Sequence, residues 1–451
     1  MLKKLRNKHV LSLAGNIAMM GIGTCIYLLL AHNMSKLEFG HWVFFIITSI
    51  TLADVFRTGF LQNSIIKFYT GTDTSGADNV AGSAWYIGFW LTISVCAVNL
   101  IVYLLFYDNA GEADRAMIRW FSANFFAMLP FSVALWILQA EGRFGIMLIV
   151  RACMQVSLMA FIIVLIFIGQ LTFLHAIYAH LLACALTSTL AIIAGWSKMR
   201  TLRHRSRERI SQLFHYGKFS VGTSIASQLL RSSDTFIIKF MLVGNAAASA
   251  VAVYSVPQQL MQLVEIPIRS FTATAMPMIS AASNQGNDKE AVYVMKKFAG
   301  MLTIALLPCC IAGFFGAGIL VDLIGGKKYV GSEAYVVFRI FMCYAMLLPV
   351  DRFLGITLDM INKPKVNMTK VYIMLAVNVV ADIAGLLIFH NIYGVALASI
   401  LTFSVGTLYG YMCLKRYLDF TMKDILRLGY TEIMELIRSF LDKKRKSELE
   451  A

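Results

Sequence analysis

Apolar stretches of about twenty residues or more follow one another from Val10 to the Lys415-Arg416 pair, with only short polar breaks between them. A helix rising about 1.5 Å per residue crosses the ~30 Å of bilayer hydrocarbon in that length. Runs such as Met154 to Ile168 lack the period-two alternation of lipid-facing barrel strands, so the expected fold is all-α. Composition agrees: 58% of the 451 residues are hydrophobic and 14% are charged, well under the roughly 25% charge of soluble domains. The chain reads as a polytopic membrane protein with twelve transmembrane helices, at 10–32, 39–62, 81–107, 116–138, 144–169, 173–196, 214–243, 248–281, 292–321, 331–359, 366–389 and 392–415. The first run follows Lys3, Lys4, Arg6 and Lys8, yet it exceeds the apolar core of a signal peptide and no small-residue cleavage site follows it, so it counts as helix 1.

Lys and Arg set the orientation. With the N-terminus inside, the cytoplasmic connections carry Lys198, Arg200, Arg203, Arg205, Arg207 and Arg209, then Lys289, Lys296 and Lys297, then Lys363, Lys365 and Lys370. The outer loops hold little beyond Lys36, Arg115, Lys327 and Lys328, so the positive-inside rule puts both termini in the cytoplasm. The net charge of +15 sits in loops and tail, and it points to anionic inner-leaflet lipids rather than nucleic acid, for which no motif is present. All eight cysteines fall inside apolar spans without CxxC spacing, and they read as small buried hydrophobes, not disulfides or a metal site. No cofactor is implied.

Residues 197–213 form the one long, strongly charged break between spans. They divide the chain into an N-lobe (1–196), the basic linker (197–213), a C-lobe (214–416) and an amphipathic basic tail (417–451). Six spans per lobe make the repeat parallel, related by an axis along the membrane normal. Arg57 and Arg269 correspond at an offset of 212, Pro130 corresponds to Pro349, and Glu141-Gly142-Arg143-Phe144 to Ile361-Asn362-Lys363-Pro364. In the tail, Ile425, Leu428, Ile433, Leu436, Ile437, Phe440 and Leu441 recur among charges that end in Lys443-Lys444-Arg445-Lys446. That pattern suits a helix on the inner membrane surface, with a partner-binding helix as the alternative.

Charges inside spans are costly, about 2.5–3.5 kcal/mol for an Arg at mid-bilayer, and they mark candidate sites. Helix 2 carries Asp54 and Arg57 one turn apart, and helix 8 carries Glu265 and Arg269 at i, i+4. Either pair neutralises itself along its own helix or faces a shared wet cavity. Arg231, Asp234 and Lys239 in helix 7, Arg151 in helix 5, Arg339, Asp351, Arg352 and Asp359 in helix 10 and Asp382 in helix 11 favour the cavity, because so many charges cannot all face lipid. Pro257, Pro267 and Pro277 in helix 8 each remove a backbone hydrogen bond, which makes that helix either a fixed curve or a bending, gating element. Gly325-Gly326-Lys327-Lys328 lacks the spacing of a phosphate loop and reads as a turn. His175 and His180, five apart, are not at metal-ligand spacing on one face.

Gly15-Asn16 in helix 1, Leu37-Glu38-Phe39-Gly40-His41-Trp42 before helix 2, and Ser233-Asp234-Thr235-Phe236-Ile237-Ile238 followed by Val251-Ala252-Val253-Tyr254 resemble the polysaccharide transporter family. These are Wzx-type O-antigen flippases, within the multidrug/oligosaccharidyl-lipid/polysaccharide flippase superfamily. The resemblance implies a V-shaped pair of six-helix lobes working by alternating access. It implies transport of undecaprenyl-diphosphate-linked oligosaccharide from the inner to the outer leaflet of the bacterial inner membrane, beside other polysaccharide assembly proteins. The family's cationic cavity maps onto Arg57, Arg231, Arg269 and Arg151, with Asp54, Asp234, Glu265 and Asp351 for coupling or charge pairing. Planar guanidinium forks suit a diphosphate, and Gln62, Asn63, Asn99, Asn124, Gln139, Gln228, Tyr254 and Gln262 are available to sugars or serve as interhelical glue. A multidrug antiporter of the same fold is the second reading. A polytopic polymerase or ligase is the third, disfavoured by short outer loops and the lack of a catalytic constellation.

Overall fold

The computed structural model describes the backbone of residues 2–69, 73–242 and 244–449, and their side chains except 2–14, 16–17, 63, 216, 218–220, 223, 273, 436–437 and 439–449. Asn16, Asn63 and Gly71, the N-terminal Lys3, Lys4, Arg6 and Lys8, and the tail side chains from Leu436 to Lys446, apart from Arg438, lie outside what is described.

Every regular element among the described residues is helical. The first half runs α1 (Leu2–Asn33), α2 (Lys36–Ala53), a π-helical segment (Asp54–Gln62), α3 (Asn63–Tyr69), α4 (Thr74–Phe106), α5 (Glu112–Ala127), α6 (Leu129–Ala140), α7 (Phe144–Phe167) and α8 (Phe173–Ile193). A short 3₁₀ turn (Met199–His204) leads to α9 (Arg207–Met241) and α10 (Asn245–Asn284). Then come α11 (Asp288–Phe315), α12 (Ala317–Gly325), α13 (Ala334–Ala345), α14 (Leu348–Met360), α15 (Pro364–Phe389), α16 (Ile392–Leu414) and α17 (Met422–Leu449). Among the described residues, eight helical stretches are long and apolar enough to cross a membrane, and the pair α13 and α14, bent by 47°, makes a ninth. The other three of the twelve expected spans correspond to α1, whose described apolar part is Ala18–Asn33, and to α9 and α10, diluted by charges, glutamines and serines.

The two halves share local punctuation. Gly142 and Asn362 both adopt positive φ (67° and 61°) just after α6 and α14, and Gly169 and His390 do so (67° and 51°) after α7 and α15. Such left-handed residues end helices by letting the chain turn back on the last carbonyls. Pro130 and Pro349 stand in the first turn of α6 and α14, where their missing N–H costs nothing. Thr172 and Asn391 then cap α8 and α16.

Contacts group the elements into two compact units, Met1–Ser255 with Ile324–Lys328, and Val256–Leu323 with Tyr329–Ala451. In the first, Leu61, Ile65, Val80, Trp85, Leu129, Val133 and Ile137 form a buried core. Val98, Leu100, Ile101, Leu104, Leu105 and Phe106 on α4 remain exposed, a surface that suits lipid. The linker is held at the end of this unit: Trp85 Nε1 donates to the Ser197 carbonyl (2.7 Å), and Lys198 Nζ lies 3.2 Å from Asp78 and 3.6 Å from Glu141. Burial raises the Glu141 carboxyl, but the Tyr69 hydroxyl (2.6 Å), Arg143 and Lys198 outweigh it and hold it below its ordinary value. Burial lowers Lys198, and its hydrogen bonds to Tyr69 and Asp78 more than reverse that, leaving it raised.

In the second unit Met295, Ala299, Leu302, Phe353, Leu354, Leu358 and Leu414 pack together with Ile425 of the tail helix. The start of α17 is therefore docked on protein rather than floating its apolar face in headgroups. A Cβ at Gly300 of α11 would lie 2.0 Å from the Ile425 carbonyl oxygen, so this backbone crossing admits only glycine there. Lys297 Nζ and the Glu432 carboxylate (2.5 Å) and the Tyr293 hydroxyl tie the next turn down.

Candidate functional site

Ser35 and Glu38 form a reciprocal capping box that starts α2. At Asp54 the helix widens into π geometry and stays so through Gln62. A π turn takes more residues than an α turn, so i and i+3 no longer stack. Asp54 and Arg57 consequently part company, contrary to the expectation of one shared face, and they make no ion pair.

Arg57 turns inward and is completely buried. Its guanidinium carbon lies 4.1 Å from the centre of the Phe125 ring, and Nη1 donates to the Phe125 carbonyl at 3.0 Å. That carbonyl belongs to the last turn of α5, where the break at Met128 leaves acceptors without intrahelical donors. Nε and Nη2 of Arg57 have no hydrogen-bond partner among the described residues. Nearby, Asn124 Oδ1 pairs with His180 Nδ1 (2.7 Å), and Trp42 meets the His180 ring edge-on.

Asp54 turns the other way, toward α9, where it accepts from Gln228 Nε2 and from Thr58. The two helices approach closely because residue 59 is glycine; a Cβ there would lie 2.5 Å from Ser224 Cβ. Between them opens a cleft of about 270 Å³ lined by Asp54, Thr58, Gly59, Gln62, Ser224, Ser227 and Gln228. Gln62 Nε2 donates to Gln139 Oε1 at 2.9 Å. Arg231, one turn beyond Gln228, is exposed and makes no ion pair among the described residues.

None of the other expected site residues is among the described residues that line this cleft. Asp234 is buried and accepts from the Tyr254 hydroxyl at 2.5 Å. Arg151 is partly buried on α7. In the second unit Arg269 is bound to its own-helix neighbour Glu265 through Nη2 at 2.6 Å and Nε at 3.2 Å, both half-exposed. Pro257, Pro267 and Pro277 all lie within the one continuous helix α10. Asp351 pairs with Lys370 at 2.5 Å, and Lys370, read from sequence as a loop lysine, is buried within α15 and also donates to the Asp351 carbonyl. Of the described amides and tyrosine proposed for sugars, Gln62 and Gln228 reach the cleft, while Asn99, Asn124, Tyr254 and Gln262 bond to other protein groups. The sequence reading missed Thr58, Ser224 and Ser227. Their signal was the polar stripe Ser224, Ser227, Gln228 and Arg231, at i, i+3, i+4 and i+7 on one helix.

Helices of membrane length, with a polar cleft between the π-helical segment and α9, fit a membrane transporter fold. Solved structures agree. An inward-facing multidrug-resistance MATE transporter of the MOP superfamily matches with a TM-score of 0.70 at 18% identity, covering 88% of this chain and 94% of that one. The lipid II flippase MurJ in an inward closed conformation matches at 0.75 and 14% identity, covering 96% and 93%. A mutant of the Vibrio cholerae MATE transporter VcmN matches at 0.59 and 17%, covering 97% of each. The fold is that of these alternating-access transporters, and the protein is a multi-pass membrane protein. The family model described as "Polysaccharide biosynthesis protein" matches residues 29–334, and the chain belongs to that family. No curated protein matches it.

Proposed function

We propose that the protein is a flippase, not an enzyme, that carries a lipid-linked oligosaccharide from the cytoplasmic to the outer leaflet of the bacterial inner membrane. The lipid is undecaprenyl diphosphate, and the product feeds surface polysaccharide assembly. The observation that carries this reading is the pairing of an oxygen- and amide-rich cleft with the exposed Arg231 one turn away, which makes no ion pair among the described residues. The polysaccharide family and the likeness to the fold of a lipid II flippase support it. Sugar hydroxyls suit the cleft, and the diphosphate suits Arg231. The two lobes (1–196 and 214–416) alternate in access, both termini face the cytoplasm, and α10 bends at its three prolines.

Energetics favour outward passage. Two negative charges crossing outward from a negative interior gain about 4.6 kcal/mol per 100 mV, twice the ~2.3 per charge. A multidrug antiporter of the same fold would instead exchange organic cations for an ion. The test is reconstitution in vesicles with lipid-linked oligosaccharide under an imposed potential. Transbilayer movement of that lipid that is weakened on the order of tenfold by Arg231→Glu is expected. Drug efflux with no lipid movement would overturn the reading.

A further inference from the structure

The cleft between the π-helical segment and α9 is lined by one carboxylate, three hydroxyls, two carboxamides and the bare backbone of Gly59. At about 270 Å³ the cleft is far larger than a bare cation fills and has room for a sugar ring. Among the described residues the lining holds no basic and no aromatic side chain. Arg231 stands outside the lining, one turn further along α9. The carboxylate is held in place by Gln228, and the spacing of the two walls is fixed by the contact of Gly59 with Ser224.

We infer that this cleft seats a single pyranose of the glycan, with Asp54 accepting from its hydroxyls, and that it admits neutral or amino sugars while rejecting sugar acids. The inference rests on the flippase reading above. Hydroxyl donors to a carboxylate form charge-assisted bonds, which orient the ring more strongly than neutral contacts. A uronic acid would bring a second carboxylate within about 5 Å of Asp54 in a partly buried setting. At an effective dielectric constant near 20, that repulsion corresponds to a loss on the order of 100-fold.

The experiment uses the full-length protein in vesicles with three lipids: undecaprenyl diphosphate bearing one N-acetylhexosamine, the same lipid bearing one hexuronic acid, and undecaprenyl diphosphate alone. Initial rates of transbilayer movement are measured. The wild type should prefer the neutral sugar on the order of 100-fold, and Asp54→Asn should shrink that ratio to a few-fold by raising the rate of the acidic lipid. Ser227→Lys, at an exposed lining position that tolerates a longer side chain, should shift preference toward the acidic sugar. Equal wild-type rates for both sugar lipids, or a ratio unchanged in both variants, would overturn the subsite while leaving the flippase reading intact. Failure to move any of the three lipids would overturn both.

Discussion

Arg57 offers the sharpest test of how this protein divides stability from function. It is fully buried, it has one carbonyl acceptor at 3.0 Å and one ring at 4.1 Å, and two of its nitrogens lack partners among the described residues. Replacing it by methionine, similar in length and flexible enough to fill the space, removes a charged hydrogen bond of about 1.5–3 kcal/mol and a desolvated cation–π contact of ~2 kcal/mol. It also relieves two unpartnered buried donors at about 1–3 kcal/mol each and the desolvation of the guanidinium, several kcal/mol more. The balance favours the variant, by ~1–4 kcal/mol on the scale seen when buried ions give way to apolar residues. We expect Arg57→Met to raise the apparent melting temperature in detergent while lowering lipid movement at least tenfold, because a charge kept inside a membrane helix at such cost is retained for function. Arg57→Lys keeps the charge but loses the planar fork, and it should not restore transport. A clear fall in melting temperature for Arg57→Met would refute the claim that the guanidinium is under-satisfied. Undiminished transport by the more stable variant would reduce it to a packing element.

Two further outcomes follow from other charges. Lys370→Met should destabilise the second unit by about 3–5 kcal/mol, since it strands the Asp351 carboxylate beside a nearly inaccessible site, whereas the Asp351→Leu/Lys370→Met double variant should return to within ~1 kcal/mol of wild type. A double-mutant cycle on thermal stability reads this, and additive effects would show the two groups uncoupled. At the linker, the Glu141 carboxyl is lowered by its partners, so its contribution is full above the ordinary carboxylate range and is lost as pH falls through the depressed value. Lys198 is raised, so its contribution is full below the ordinary 10.5 and is lost only above the raised value. Protease protection of residues 197–206 should therefore stay flat from about pH 5 to 10 and drop in stronger acid; a change near neutrality would contradict this pairing.

Much of the fold was legible because a bilayer leaves a chain few options. Helices must satisfy their own backbone, so apolar run length gave the spans, and the correspondence of Pro130 with Pro349 and of residues 141–144 with 361–364 emerged as matching helix breaks. What sequence could not give was azimuth. The π geometry from Asp54 to Gln62 rotates Asp54 toward α9 and Arg57 toward α5, and no propensity or period announces one widened turn. Lys370 was misplaced for a related reason: six residues into α15 it looks like a loop cation, yet its long stem lets the ammonium reach Asp351 on the neighbouring helix.

Four cations on the long helices are neutralised in place. Lys239 meets Asp114, Lys370 meets Asp351, Arg269 meets Glu265 and Lys297 meets Glu432, each within 3.0 Å, and such pairs can serve packing alone. Arg231 departs from that pattern in the first unit. It is accessible, and it stands next to an acid already occupied by Gln228 and Thr58. A guanidinium fork left open beside a hydroxyl-lined cleft is explained most economically by a ligand that is itself anionic at one end and rich in hydroxyls at the other.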